Sequence, residues 1–176
     1  MALRKLLYTM QVRGRTSLVC GNSHPLRTTG SAVSCIISTV ISQSGIRTDL
    51  APSDGDLAFF ESELRLTGCD EFQESGEITF GDGGEHVLRF STAGQGHMNS
   101  DLEPGVIAGT ASWIVESGEG QFAAARGFIT SNFTINASGE RCDFLCGVIF
   151  LPQMRASGPP HPSVVGRHGL PVDMAL

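Results

Sequence analysis

The 176-residue sequence predicts an all-β fold, in which about eight antiparallel strands form a barrel. Glycine is frequent, with 22 residues against 8 prolines, and this balance suits short strands joined by tight turns. Apolar runs rich in β-branched residues recur along the chain, and turn-forming residues separate them. No long run has a clean helical period, which argues against a helical fold.

About eight segments have the composition of strands. They are residues 6–12, 31–42, 57–67, 74–81, 86–92, 105–116, 121–136 (with a bend or a break at Gly127) and 142–151. The clearest hairpin joins residues 74–81 to 86–92 through a glycine-rich turn, because Ile78 and Phe80 alternate with polar residues. Residues 31–42 also fit a short amphipathic helix, but their β-branched content favours a strand. Eight antiparallel strands close a barrel around side chains or one small ligand.

Residues 1–152 are predicted to form one barrel domain, and residues 153–176 a C-terminal tail. The tail is rich in proline and glycine, so it either stays flexible or wraps the domain or a neighbouring subunit. The N-terminal stretch contains no acidic residue, which is also typical of an organelle transit peptide. We prefer to interpret residues 6–12 as the first strand, because the apolar run is short and has strand composition.

The net charge of −6 falls unevenly, since residues 1–48 contain no acid and the body that follows is acidic. An acidic body argues against a nucleic-acid partner, and no segment has the ~18 apolar residues that a membrane helix needs. The five cysteines form no C-x-x-C pair, so no metal site and no cofactor is predicted. We expect reduced, buried cysteines and a cytoplasmic protein.

The candidate catalytic residues are one histidine and two charged strand residues, namely His97, Glu63 and Arg89. His97 follows a strand end beside glycines, where an imidazole could act as a general acid or base. The alternative is an exposed loop histidine. Glu63 shares a strand face with Arg65, and if that face turned inward this Glu–Arg pair could polarise a carbonyl or hold a carboxylate. On an outward face, the same residues would form ion pairs of little energetic consequence.

The candidate ligand-binding residues are aromatic or hydrogen-bonding strand residues, namely Trp113, Phe90, Thr130, Asn132 and Phe144. Trp113 either lines a pocket or belongs to the core. Gly109, Ala111 and Trp113 share one strand face, and the two small residues leave room beside the indole. Either a ligand or side chains from facing strands would fill that room.

Residues 118–127 have the pattern G-x-G-x-F-x-x-A-x-G. A phosphate-binding glycine loop precedes a helix, whereas a β-branched run follows here, so a phosphate site is excluded. The pattern instead describes a hairpin with Phe122 in the core, the small Ala125 where strands crowd, and Gly127 at a sharp bend. It resembles the GxGxFxxAxG hairpin of the allene oxide cyclase and dirigent protein barrels, which are eight-stranded antiparallel barrels of calycin-like shape.

The resemblance implies an isomerase or cyclase of specialised metabolism that binds an apolar small molecule inside the barrel, and it leaves a homo-oligomer open. The alternative is a non-catalytic barrel with a ligand-binding or structural role. Tyr8 is the one tyrosine, so a tyrosine-lined pocket like that of dirigent proteins is not expected. No functional residue matches those families residue by residue. A cavity with converging polar groups would favour the enzyme, and an interior filled by Phe and Leu would favour the structural role.

Overall fold

The computed structural model describes residues 3–18 and 25–152, which form ten β-strands and one 3₁₀ turn. The strands are β1 (Leu3–Leu18), β2 (Leu26–Ser42), β3 (Gly45–Pro52), β4 (Ala58–Leu66), β5 (Glu71–Phe80), β6 (His86–Thr92), β7 (Gly96–Glu103), β8 (Val106–Glu119), β9 (Arg126–Asn136) and β10 (Glu140–Pro152). The 3₁₀ turn, Gly120–Phe122, lies between β8 and β9. The predicted all-β class is therefore confirmed. The predicted tail, residues 153–176, lies outside the described residues.

The strands close into an antiparallel barrel. Hydrogen-bonded neighbours follow the order β1-β10-β9-β8-β6-β5-β4-β2, and β2 pairs with β1 again to complete the ring. β6 and β7 together fill one strand position of the barrel wall. Both pair with β5 on one side and β8 on the other, and residues 93–95 interrupt the strand between them. Eight strand positions thus surround one core, as the sequence predicts.

Two strands were not predicted. β7 contains mostly polar residues, and β3 is a short strand in which Ile46 and Leu50 are the only large apolar residues. Neither has the repeated apolar alternation of the predicted strands. Backbone pairing decides their conformation instead, of β3 with β2 and of β7 with β5 and β8. Residues 31–42 form a strand rather than a helix, and the first strand is longer than predicted because β1 pairs with both β10 and β2. β9 begins at Arg126, since a turn occupies the preceding residues.

Alternate residues of each wall strand point into the barrel. β9 shows this most clearly, because Ile129, Ser131 and Phe133 are buried and the residues between them are exposed. Trp113 lies at the centre of the interior, and its ring stacks on Phe90 with the ring centroids 3.9 Å apart. The Trp113 face of β8 therefore points inward, and other side chains rather than open space surround the indole.

Backbone conformation and close packing explain the small residues in the hairpin at residues 118–127. Gly120 has a φ of +59°, a backbone conformation that favours glycine. Phe122 and Ala125 are buried in the core. A Cβ atom on Gly127 would lie 2.2 Å from the carbonyl oxygen of Val148. The predicted crowding at Gly127 is confirmed, but its φ is not among the positive values, so β10 and not a strained bend excludes a side chain there.

The cysteines depart from the expectation of burial. Cys35 is buried, Cys69 is exposed, and Cys142 and Cys146 are half-buried on the outer face of β10. All four are free thiols, and Cys20 lies outside the described residues. Among residues 3–18 and 25–152, no helix has the length and apolar character that a membrane crossing would require.

Candidate functional site

The structure divides the sequence-predicted site residues between the two faces of the barrel wall. Trp113 and Phe90 are buried inside. The outward-facing residues are Glu63, Arg89, His97, Thr130, Asn132 and Phe144. Side chains on opposite faces of a closed sheet do not reach the same ligand. The eight residues therefore do not form the single site that the sequence suggested.

Glu63 and Arg89 form ion pairs on the outside. The Arg89 guanidinium donates to Glu77 Oε2 at 3.2 Å and to Glu119 Oε1 at 2.6 Å. Arg65 donates to Glu63 Oε1 from Nε and Nη2, at 2.9 and 2.7 Å. Because water surrounds these side chains, such pairs contribute only about 0–1 kcal/mol each. For Glu63 and Arg65, the exterior alternative considered from the sequence is the observed arrangement.

Three of the predicted residues meet in one outer row. His97 pairs with Thr110, Thr110 with Asn132, and Asn132 with Phe144, so the row crosses β7, β8, β9 and β10. The Thr110 hydroxyl donates to Asn132 Oδ1 at 3.1 Å. Thr130 lies on the same outer face and donates to the backbone carbonyl of Cys146 at 3.1 Å. All four residues of the row are exposed, and none of them lines the grooves described below.

A buried ionic cluster inside the barrel is the feature that the sequence analysis missed. Arg141 on β10 donates to Glu74 Oε1 on β5 at 2.7 Å and to Glu74 Oε2 at 3.2 Å. The same guanidinium donates to Asp143 Oδ2 at 2.7 Å. The side chains of all three residues are fully buried. We refer to Arg141, Glu74 and Asp143 as the ionic cluster.

Hydroxyl groups and an aromatic ring surround the ionic cluster. Ser131 donates to Asp143 Oδ2 at 2.7 Å, and Ser62 donates to Glu74 Oε1 at 2.6 Å. The guanidinium carbon of Arg141 lies 4.1 Å from the centroid of the Phe133 ring, which is a cation–π contact. These contacts offset part of the cost of removing three charges from water.

Burial shifts the proton affinities in the ionic cluster. Burial raises the pKa of Asp143, and the attraction of Arg141 and the Ser131 hydrogen bond offset this only in part. Burial alone would lower the pKa of Arg141, but the carboxylates of Glu74 and Asp143 raise it above its ordinary value, so the guanidinium stays charged. The pKa of Tyr8 is also raised, first by burial and then by the charge of Asp143.

Several buried polar atoms have no hydrogen-bond partner within the described part of the chain. They are Tyr8 Oη, Trp113 Nε1, Arg141 Nε and Asp143 Oδ1. Native proteins pair the large majority of such atoms, so each unpaired atom needs an explanation. Two of the four atoms belong to the ionic cluster, which makes it the best candidate for a functional site.

A signal for the ionic cluster was present in the sequence. Arg141 and Asp143 have the same strand parity as Leu145 and Ile149, whose apolar side chains predict an inward face for β10. Glu74 has the same parity as Phe72 on β5. Charged residues near a strand end usually face solvent, so parity alone does not identify them as interior residues.

The cavities among the described residues are open grooves. One groove of about 350 Å³ lies at the rim of the barrel, where Leu66, Met98 and Ile107 provide apolar lining and Asp70 and Asp101 provide carboxylates. We call this the rim groove. Met98 also packs against the buried core, so the groove borders the interior. Arg141 of the ionic cluster lines a second groove, of about 500 Å³, and Glu74 lines a third, of about 450 Å³. None of these grooves is lined by Trp113, Phe90 or Asp143.

Comparisons with known proteins add one structural similarity. No protein-family model and no curated protein sequence matches the chain. The chain is similar to the solved structure of the pterocarpan synthase dirigent protein GePTS1, at 10% sequence identity and a TM-score of 0.44, over 93% of this chain and 95% of that one. The barrel follows from the strand registers alone.

Proposed function

We propose that the protein binds a small, mostly apolar molecule with one hydrogen-bonding group inside the barrel. The ionic cluster is the observation that supports this. Three buried charges gain little net stability, because desolvation offsets their mutual attraction. Buried groups with shifted pKa values are common at functional sites. Unpaired atoms on Arg141 and Asp143 would give the ligand a donor and an acceptor.

The surroundings of the ionic cluster set the chemical class of the ligand. Phe133, Phe90 and Trp113 present aromatic faces, which suit an apolar or aromatic body. Arg141 Nε is a free donor and Asp143 Oδ1 a free polar atom, so the polar group of the ligand is a carbonyl, hydroxyl or carboxyl. Arg141 lines the groove of about 500 Å³, so a ligand that enters there lies next to the ionic cluster. The Arg141 side chain is fully buried, so binding requires local repacking, and bound and free states differ in packing.

An isomerase or cyclase activity would use the same arrangement. The pKa of Asp143 is raised, so this carboxyl holds a proton more readily than an exposed one, and a protonated carboxyl can serve as a general acid. The rest of the catalysis would come from positioning and from exclusion of water. The resemblance of residues 118–127 to the allene oxide cyclase and dirigent barrels supports this class of reaction, and with it a role in specialised metabolism.

A structural barrel without a ligand is the second candidate, and the packed interior favours it. The Phe133 ring occupies the space beside Gly109, so close that a Cβ atom there would lie 2.3 Å from Phe133 Cζ. Phe60, Phe90 and Trp113 stack in the middle of the barrel. In this role the ionic cluster would fix the relative position of β5 and β10.

Fluorescence titration separates the two candidates. A series of naphthyl compounds bearing a hydroxyl, a carboxylate or an amine is titrated while Trp113 emission is followed. We expect saturable quenching by the hydroxyl or carboxylate compound. Arg141→Lys should weaken that binding at least about tenfold, because Lys lacks the planar guanidinium. The exterior variant Arg89→Lys should bind as the wild type does.

Thermal denaturation of both variants establishes that each is folded. Unchanged Trp113 emission with every compound, in protein of native stability, would overturn the binding proposal and leave the structural barrel. Equal effects of Arg141→Lys and Arg89→Lys would place the binding site outside the ionic cluster.

A further inference from the structure

A two-stranded hairpin projects from the barrel. Within the described residues, β1 pairs with β2 only as far as Ser34 and β4 only as far as Ala32, so residues 35–42 of β2 pair with β3 alone. β3 in turn pairs with no strand other than β2. β3 is therefore an edge strand, with one side of its backbone unpaired.

The register shows which backbone groups of β3 face the open side. Ser42 pairs with Gly45 across a two-residue turn, and at the other end Ser53 N donates to the carbonyl of Ser34 at 2.9 Å. In an antiparallel pair the backbone groups of successive residues point to alternate sides. The odd-numbered residues of β3 thus bond to β2, and Ile46, Thr48 and Leu50 direct their N–H and C=O groups to the open side.

This edge has little of the protection that edge strands usually carry, because its two charged residues, Arg47 and Asp49, have opposite signs and can face a second copy. Natural edges carry lysines, bulges or inward charges that block pairing with another chain. β3 contains no lysine, its pairing with β2 has no bulge, and its one proline, Pro52, is its last residue. Ile46 is 73% exposed and Ile41 opposite it is 80% exposed. The edge is open to a further strand.

We propose that β3 pairs with β3 of a second copy of this chain, antiparallel and about a two-fold axis at Thr48. Ile46 then lies opposite Leu50 of the partner subunit, and Thr48 opposite Thr48 of the partner subunit. All three residues with free backbone groups exchange hydrogen bonds in this register. The two strands form one continuous four-stranded sheet from the two hairpins.

The charges of β3 select this register. Arg47 and Asp49 are exposed, and they form an ion pair within their own strand at 3.2 Å. In the proposed register Arg47 lies opposite Asp49 of the partner subunit, and the pair occurs twice. These are the non-hydrogen-bonded positions, where facing side chains are closest. A two-fold axis at Arg47 or at Asp49 would set like charges opposite each other, which is destabilising.

The same pattern favours a second copy over an unrelated peptide. An added strand would need an acid and a base at the spacing of Asp49 and Arg47, with apolar residues on the other face, and β3 itself has that sequence. Ile46 and Leu50 of both copies share one face, so pairing also buries part of their exposed surface. Two-fold symmetry makes every such contact occur twice.

Charge exchange tests the proposal. The wild type, Arg47→Asp, Asp49→Arg and the double exchange are compared by light scattering during gel filtration and by native mass spectrometry over a range of concentrations. We expect a dimer for the wild type. Each single variant sets like charges opposite each other twice, and should weaken dimerisation at least about tenfold. The double exchange restores opposite charges and should restore the dimer.

Arg65→Asp, which reverses an exposed charge on the outer face of β4, is the matched control and should leave the dimer unchanged. Circular dichroism of each variant verifies the fold. A wild type that stays monomeric at all concentrations, or a dimer that both single variants leave intact, would overturn the proposal. Loss of the dimer on Thr39→Pro but not on Arg47→Asp would assign the contact to the free edge of β2 instead, and would also overturn it.

Discussion

Arg141 is the residue on which the interior electrostatics depend. Its guanidinium joins Glu74 on one side of the barrel to Asp143 on its own strand, and both carboxylates lie within hydrogen-bonding distance. Two buried acids without a cation would repel each other and lose their charged hydrogen bonds. The guanidinium therefore matters more for what its loss would leave behind than for the net energy of the intact cluster.

We predict that Arg141→Met destabilises the protein by about 3–5 kcal/mol, because it leaves two buried carboxylates uncompensated. Urea denaturation followed by circular dichroism measures the change. Arg65→Met, which removes an exposed ion pair on the outer face, should cost no more than about 1 kcal/mol. Similar losses for the two variants would show that the ionic cluster contributes no more than a surface pair.

Asp143 gives a prediction about pH. Its pKa in the folded state is raised above the unfolded value of about 3.8, so the folded state binds the proton more tightly. This group's contribution to stability therefore falls as the pH rises from about 4 through its folded pKa. Asp143→Asn has no proton to lose at this position. Its free energy of unfolding should therefore exceed that of the wild type at neutral pH, and this difference should shrink towards pH 4.

The measurement is the free energy of unfolding in urea between pH 4 and pH 7. Asp82→Asn, in the exposed turn between β5 and β6, is the control for the loss of one negative charge. Parallel pH profiles for the wild type and Asp143→Asn would contradict the raised pKa of Asp143.

Among the elements, a clear alternation of apolar and polar residues is what made strands predictable. β8 and β9 each have one buried face and one exposed face, so a period of two is visible in their sequences. β7 has only Met98 and Leu102 as large apolar residues, and it is a strand because it pairs with β5 and β8. The predicted strand 121–136 begins five residues late, at Arg126, because the chain turns from β8 to β9 before it.

The contact between β9 and β10 gives an element-scale prediction. A side chain at Gly127 would collide with the β10 backbone at Val148 and Ile149. We predict that Gly127→Val costs about 1–3 kcal/mol through overpacking, with loss of the β9–β10 register at the upper end. Thr134→Val places the same side chain on the exposed face of β9 and should change stability by less than about 0.5 kcal/mol.

The urea midpoints of unfolding of these two variants test the predicted overpacking at position 127. An unchanged midpoint for Gly127→Val would mean that β10 moves aside at no cost. In that case the close approach of the two strands would not be the reason for a glycine at this position.

At the scale of the whole molecule, the number and type of strands were enough to predict a closed barrel. They were not enough to predict the candidate site. Strand parity predicts which residues point inward, but only the closed ring shows that Glu74 and Arg141, 67 residues apart in the chain, meet in the interior. The predicted site residues do not form one site, because the closed wall places some of their side chains inside the barrel and others outside. His97 and Trp113 lie on neighbouring strands, yet the wall separates their side chains.

The closed barrel also predicts which parts of the molecule unfold locally and which unfold only with the whole. Every wall strand has a partner on both sides, so its amides should exchange with solvent only when the whole barrel unfolds. The hairpin of β2 and β3 has free edges and few buried residues, so residues 36–51 should exchange by local opening at much lower free energy. Native-state hydrogen exchange with mass spectrometry measures both groups. At protein concentrations that favour the dimer, the amides of Ile46, Thr48 and Leu50 should slow selectively, whereas those of β9 should not change. Independent exchange of β9 and β10 at low free energy would show that the barrel is not one cooperative unit.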